Sequence, residues 1–339
     1  MRASIEIVDA AALHPLLQRN AVLEAVRVAL IAHARGQVQA PPPGQLLFPQ
    51  AHGDCHVKFC ATSEGERFIV KVATGFYENP RRGLPVNNGL VAMFDAATGA
   101  PRVIFADQGW LTAWRTAAAA ALAARVLAPR AISGIGIIGT GLQAGLATQW
   151  LPETLGAHPF VIHGRDPQKA ERLARNVRSA GGRARRARDL HDLFATTNVI
   201  VTATCSQAPL FPARLVAPGT HIVALGADGP EKQELPETLF SQATLIATDD
   251  HEQCLRFGEF GAAVRAGACS EDRDVPLGRL LAGDVGAGRD DGGITVADLT
   301  GLAVEDLAIA ELFARRLARP GAGNAEHSRT RPFKLRWYW

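Results

Sequence analysis

The chain has few cysteines for its length. Five occur among 339 residues (Cys55, Cys60, Cys205, Cys254, Cys269). Their number is odd and none stands in C-x-x-C spacing, which excludes a disulfide framework and leaves no pattern for a metal site. They read as reduced thiols of a cytoplasmic protein. A large net charge is also missing. The 36 basic and 33 acidic side chains leave +3, too little to point to nucleic acid or an acidic membrane as a partner. The one local excess, Arg183, Arg185, Arg186 and Arg188, reads as a solvated face. No apolar run reaches the ~20 residues that span a bilayer. The opening MRASIEIVDAAALHP carries Glu6 and Asp9 and lacks the apolar segment of a secretion signal. Repeats and low-complexity stretches are absent, apart from an alanine run after Thr116.

What is present is a core. Apolar residues make up 47% and charged residues 20%, and the length suits about two domains. The first third reads as α+β. A short strand at Ser4–Val8 is followed by Asp9 as a helix cap, and apolar spacing from Leu17 to Leu30 gives amphipathic helix up to Gly36. Pro41-Pro42-Pro43 breaks it. Strands then fit His56–Cys60, Phe68–Thr74, Asn88–Phe94 and Arg102–Asp107, with turns at Gly65, Asn79-Pro80 and Thr98-Gly99. From Leu111 an alanine-rich helix runs until Pro129 ends it. Beyond it strands at Gly134–Ile138, Phe160–His163, Asn198–Thr202, His221–Leu225, Thr244–Thr248 and Ile294–Asp298 alternate with helical or loop segments. That alternation is a doubly wound parallel sheet. A final helix fits Gly301–Leu317.

The centre of this second part is Gly139-Thr140-Gly141-Leu142-Gln143-Ala144. It follows an apolar strand and opens a helix, the context in which G-x-G-x-x-A binds a dinucleotide. Gly139 turns the chain, Gly141 lets backbone approach a pyrophosphate, and Ala144 packs helix on strand. Phosphates would sit at the helix N-terminus. The strand after it ends His163-Gly164-Arg165-Asp166. Glycine stands where an acid would mark NAD, and Arg165 could meet the extra phosphate of NADP, so NADP(H) is favoured over NAD(H). Asp166, just before Pro167, fits a helix cap; turned toward the ribose it would favour NAD.

Ligands of open parallel sheets bind beyond the carboxyl ends of the strands. Thr202-Ala203-Thr204 and Gly226-Ala227-Asp228 lie there. Asp228 could exchange a proton with a substrate nitrogen, or serve only as turn chemistry. Lys71 in an apolar strand and Arg115 at the domain junction could bind a carboxylate, although a single such cation is more often structural.

Six stretches in order, VKVATGFYENPRRGLPVNNG (70–89), LTAWRTAAAAALAARVLAP (111–129), GIIGTGLQA (136–144), VTATCS (201–206), GTHIVALGADGPEKQEL (219–235) and DLTGLAVEDLAIA (298–310), resemble the ornithine cyclodeaminase/mu-crystallin family. The resemblance implies a Rossmann nucleotide domain (116–318) inserted into a β-rich substrate-binding and dimerisation domain (1–115 plus 319–339). It implies a homodimer through that domain's sheet, NAD(P), and chemistry at the C–N bond of a small α-amino or α-imino acid. Lys71 and Arg115 would hold the substrate carboxylate, Lys71 as part of the catalytic pair with Asp228, the acid/base. Gly139, Thr140, Gly141, Leu142, Gln143, Ala144, Arg165, Thr202, Ala203, Thr204 and Arg115 would line the cofactor.

The chain also departs from the family pattern. The arginine that ornithine cyclodeaminases place near the start of the substrate domain is missing around Gly44-Gln45-Leu46. The glutamate expected on the strand before Lys71 is replaced by Cys55-His56-Val57-Lys58-Phe59, whose cations would repel a second ammonium. The expected activity is therefore reduction of a linear or cyclic imino acid by NAD(P)H. The alternatives are cyclodeamination of L-ornithine to L-proline plus ammonia with internal hydride recycling, and crystallin-like ligand binding without turnover.

Overall fold

The computed structural model describes residues 5–229, 231–286 and 292–318. The expected return of 319–339 to the first domain lies outside the described residues. Contacts divide the described residues into two compact units, one drawn from 5–25, 38–112 and 303–318, the other from 26–37 and 113–302.

The first unit is built on a seven-stranded sheet. Its strands are β1 (Glu6–Asp9), β2 (Val38–Gln39), β3 (Gly44–Phe48), β4 (Gly53–Thr62), β5 (Arg67–Phe76), β6 (Asn87–Asp95) and β7 (Pro101–Ala106). Their order is β1-β7-β6-β5-β4-β2, with β3 also paired to β4. All pairs are antiparallel except β1 with β7. Period-two alternation sends Cys60, Ile69, Lys71, Val91, Met93, Val103 and Phe105 to one buried face. The helix Ala303–Leu317 packs against β4, β5 and β6. The unit thus takes the chain back at Ala303, earlier than the sequence reading placed it. The opposite face carries Phe59, Val70, Ala92, Ile104 and Ile7 side by side in register across five strands, and none of the five is buried. Strands β2 and β3 escape sequence reading because neither alternates. All five residues of β3 are exposed, and only pairing along β4 makes it a strand.

The second unit contains β8 (Ile135–Ile138), β9 (Phe160–His163), β10 (Ala184–Arg186), β11 (Val199–Thr202), β12 (His221–Ala224), β13 (Ala243–Thr248), β14 (Asp274–Pro276) and β15 (Ile294–Asp298). They form one sheet of order β10-β9-β8-β11-β12-β15-β13-β14, parallel throughout. Strands β8, β11, β12 and β15 are buried at every residue, as a sheet covered on both faces requires. Ile138, Ile200, Ile222, Ile246 and Val296 meet Phe240 and Phe260 in its core. The alanines of helix Trp110–Leu127 are almost fully buried, small enough for close packing. Edge strands β10 and β14 were not foreseen, each being only three residues long with no alternation to mark it. The arginine run stays solvent-exposed, as the sequence suggested; part of it forms β10, which pairs with β9, and Arg185 also meets the buried Asp192 at 2.5 Å. Strand order reverses between β8 and β11, which places a ligand crevice at their carboxyl ends.

Candidate active site

At that crevice the backbone itself demands glycine. Gly139 has φ +131°, and a Cβ on it would stand 2.4 Å from the Ala203 carbonyl oxygen. Its amide donates to the His163 carbonyl at 2.9 Å. Gly141, the N-cap of helix Leu142–Leu155, faces open space, and Ala144 is fully buried. The free amides of this helix start are an anion site. Gln143 donates to the Ala113 carbonyl at 3.4 Å, while its buried Oε1 has no hydrogen-bond partner among the described residues. A dinucleotide fits this cradle, with Thr140 and Leu142 completing the turn.

The end of β9 is basic. A Cβ at Gly164 would come within 2.6 Å of Thr140 Cγ2, so a side chain there would push the Thr140 side chain aside. Asp166 Oδ1 accepts from the amides of Gln168 (2.8 Å) and Lys169 (3.2 Å), capping helix Pro167–Ser179. Arg165 is exposed and makes no hydrogen bond or ion pair among the described residues. It lines a cleft with His163, Gly164, Pro167, Ala170, Arg186, Ala187 and Arg188, a lining with three arginines and no carboxylate. Burial holds the His163 imidazole below its ordinary pKa of 6.5, so near neutrality it is an uncharged donor.

Beyond β11 and β12 lie Thr202, Ala203, Thr204 and Asp228. The Asp228 side chain is 46% exposed, and Lys232 Nζ lies 2.6 Å from its Oδ1. Behind them sits a layer of buried carboxylates that sequence reading missed: Glu234, Glu259, Asp249 and Asp298, each at most 2% exposed. The Glu234 carboxylate accepts from Thr202 Oγ1 (2.7 Å) and from the amides of Thr204 (2.7 Å) and Gly226 (2.8 Å). Burial pushes its pKa up, against the pull of these donors. Glu259 accepts from the amides of Glu234 (2.6 Å) and Leu235 (3.0 Å); burial, then the charges of Asp298 and Glu234, raise it well above its ordinary value. Asp249 holds the Gly301 amide at 2.5 Å and the Thr300 hydroxyl at 2.9 Å. Gly301, at φ +79°, is where Arg115 rests: a Cβ there would be 2.3 Å from Arg115 Nη1. Arg115 is 4% exposed.

In the first unit Lys71 Nζ lies 2.5 Å from Asp306 Oδ2, both buried. Lys58 stands directly opposite Lys71 in the β4–β5 register and is also buried. Two ammoniums at facing positions repel each other unless acids answer them, and Asp306 is one such acid. Burial also raises Asp107, in the same unit, to about 6. The structure therefore puts Lys71 with Lys58 and Asp306, Arg115 with Gly301, and Asp228 with Lys232. The dinucleotide turn Gly139–Ala144 packs with Ala203.

Comparison with known proteins gives this arrangement a context. The iminosuccinate reductase of Paracoccus denitrificans is 32% identical over 87% of this chain and 91% of its own length. Its crystal structure with NAD+ superposes with a TM-score of 0.84, at 28% identity over 92% of this chain and 95% of that one. The alanine dehydrogenase of Archaeoglobus fulgidus is 30% identical over 88% of this chain and 90% of its own. An archaeal alanine dehydrogenase dimer with bound NAD also aligns at TM-score 0.84, with 29% identity over 92% of this chain and 95% of that chain. The family model for ornithine cyclodeaminase/mu-crystallin matches residues 6–319. The chain belongs to the ornithine cyclodeaminase/mu-crystallin family.

Proposed function

We propose that this chain is an NAD(P)H-dependent imino-acid reductase whose substrate carries an α-carboxylate. The observation that carries the reading is Asp228, a partly exposed carboxylate paired with Lys232 on the loop beyond β12, at the sheet edge that holds the dinucleotide turn. A protein that only stored a ligand has no use for a proton-exchanging group there. The relatives named above, one reducing iminosuccinate and one an alanine dehydrogenase, support the same chemistry at a C–N bond.

The residues divide the work. Lys71 and Arg115 bind the substrate carboxylate. The nicotinamide cofactor, when bound, supplies the hydride that goes to the imine carbon. Asp228 gives its proton to the imine nitrogen, so the C=N π bond becomes C–H and N–H, and Asp228 regains a proton from water. Lys58, buried beside Lys71, disfavours a substrate with a second ammonium and so argues against L-ornithine. NADP(H) is the favoured cofactor, supported by the acid-free cleft of Arg165, Arg186 and Arg188 and by the engagement of Asp166 in a helix cap. The sheet unit would bind substrate and pair with a second copy through its apolar face, since a row of apolar side chains that none of the described residues buries calls for a partner. The parallel-sheet unit would bind the cofactor. Free thiols at all five cysteines suit a cytoplasmic enzyme, and no described helix is long and apolar enough to cross a membrane.

A paired assay over imino and diamino acids tests the reaction. A reductase consumes NAD(P)H stoichiometrically; a cyclodeaminase releases ammonia with no net change in cofactor. Asp228→Asn should lower turnover ~10²–10⁴-fold, the usual worth of a general acid, and near-normal turnover would remove Asp228 from the mechanism.

A further inference from the structure

Glu234 closes the loop on which Asp228 stands. The loop leaves β12 at Gly226 and returns at Lys232–Leu235. At its beginning, the Gly226 amide donates to Glu234 Oε2 at 2.8 Å. At its end, the amides of Glu234 and Leu235 are taken by the Glu259 carboxylate. The same Glu234 side chain reaches sideways to the neighbouring strand end, accepting from Thr202 Oγ1 and the Thr204 amide. Around it, the Gln233 amide donates to the Ser206 carbonyl at 2.8 Å and the Leu210 amide to the Glu234 carbonyl at 2.8 Å. The fit leaves no slack: a Cβ on Gly226 would be 2.3 Å from the Thr204 carbonyl oxygen and 2.4 Å from Glu234 Cδ. Glu234 is wholly buried and has no route to a substrate. Replacing this carboxylate by an apolar side chain would leave the Thr204 and Gly226 amides and the Thr202 hydroxyl without their acceptor. Three donors from two different strand ends converge on this one.

We propose that Glu234 is a positioning residue for the proton-transfer step, holding the Gly226–Glu234 loop against Thr202–Thr204 so that Asp228 is presented in a fixed place. The proposal rests on the reading of Asp228 as the proton donor. Its chemistry requires a carboxylate. In Glu234→Gln one terminal atom becomes an NH₂ donor. Whichever way the amide turns, that NH₂ faces a backbone N–H, either Thr204 or Gly226, and one of the two strand ends is released.

The test is a double-mutant cycle measured in single turnover with enzyme in excess over imino acid. Glu234→Gln should slow the single-turnover rate by about 100-fold, the effect of a misplacement of ~1 Å at a reacting group, with the half-saturating enzyme concentration changed by less than about threefold. In an Asp228→Asn background the same substitution should cost less than about threefold, because the group it positions no longer transfers a proton. Should Glu234→Gln fail to fold, the cycle is run with Glu234→Asp, which keeps the charge and withdraws it by one methylene, with about a tenfold loss expected in the Asp228 background alone. Equal losses in both backgrounds, or no loss in either, overturn the proposal. Failure of the underlying reading is seen separately, as near-normal turnover of Asp228→Asn alone.

Discussion

Asp298 offers the sharpest test of the buried acid layer. It ends β15 and is 1% exposed. Its Oδ2 accepts from the Phe260 amide at 2.9 Å, while Oδ1 has no hydrogen-bond partner among the described residues. Burial, opposed by the Phe260 amide and reinforced by the Asp249 charge, pushes its pKa from 3.8 up to about 7. Below 3.8 the group is protonated in both folded and unfolded chains and has no effect. Between 3.8 and about 7 the unfolded chain releases a proton that the folded chain keeps, so stability falls as pH rises. Each power of ten between the two values is worth about 1.4 kcal/mol, or ~4 kcal/mol in all. Roughly 2–3 kcal/mol of that lies between pH 5 and 8.5. Asp298→Asn keeps an acceptor for Phe260 and removes the titration. Its melting temperature relative to wild type should therefore rise by about 5–10 °C from pH 5 to pH 8.5, for a unit of roughly 200 residues. Asp107 titrates equally in both proteins and cancels. A pH-independent difference between the two melting temperatures would refute the reasoning.

Four further outcomes are expected. Asp306→Asn should destabilise the protein by about 3–5 kcal/mol by leaving the Lys71 charge buried without its carboxylate; in denaturant titrations the double variant Lys71→Met/Asp306→Leu should recover much of that loss, and no recovery would count against the pair. Gly301→Ala forces a side chain onto the Arg115 guanidinium and should reduce kcat/KM for the imino acid by about 10–100-fold, whereas a wild-type value would mean Arg115 is not needed where it sits. NADPH should bind more tightly than NADH, and Arg165→Ala should weaken NADPH alone by at least about tenfold, the worth of a charge-assisted hydrogen bond; tighter NADH binding, or an unaffected variant, would contradict the basic cleft. Light scattering should give a dimer, which Phe59→Asp shifts toward monomer by putting a charge in the exposed apolar row; a wild-type monomer at micromolar concentration would reject pairing through this face.

Local rules made part of this protein legible in its sequence. Strands β8, β11 and β12 declare themselves as short, mostly apolar runs without alternation, as a parallel strand covered on both faces should. Gly139 marks the dinucleotide turn because backbone sterics admit little besides glycine at φ +131°. Asp9 and Asp166 announce helix starts, and both accept the amides a cap should accept. Candidate residues Lys71, Arg115 and Asp228 stood out as charge in apolar or turn surroundings. What answers those charges came only from tertiary structure. Asp306 meets Lys71 and Gly301 seats Arg115, each from a distant stretch whose own pattern is ordinary helix or loop, and Glu234 ties the Asp228 loop to the remote Thr202 and Thr204. Strand β3 exists because an edge of β4 was open to it. The arginine run became part of a cleft because its edge strand lies beside β9. Burial and pairing between remote segments leave no periodicity in either one, so these contacts could be decided only when the chain had folded.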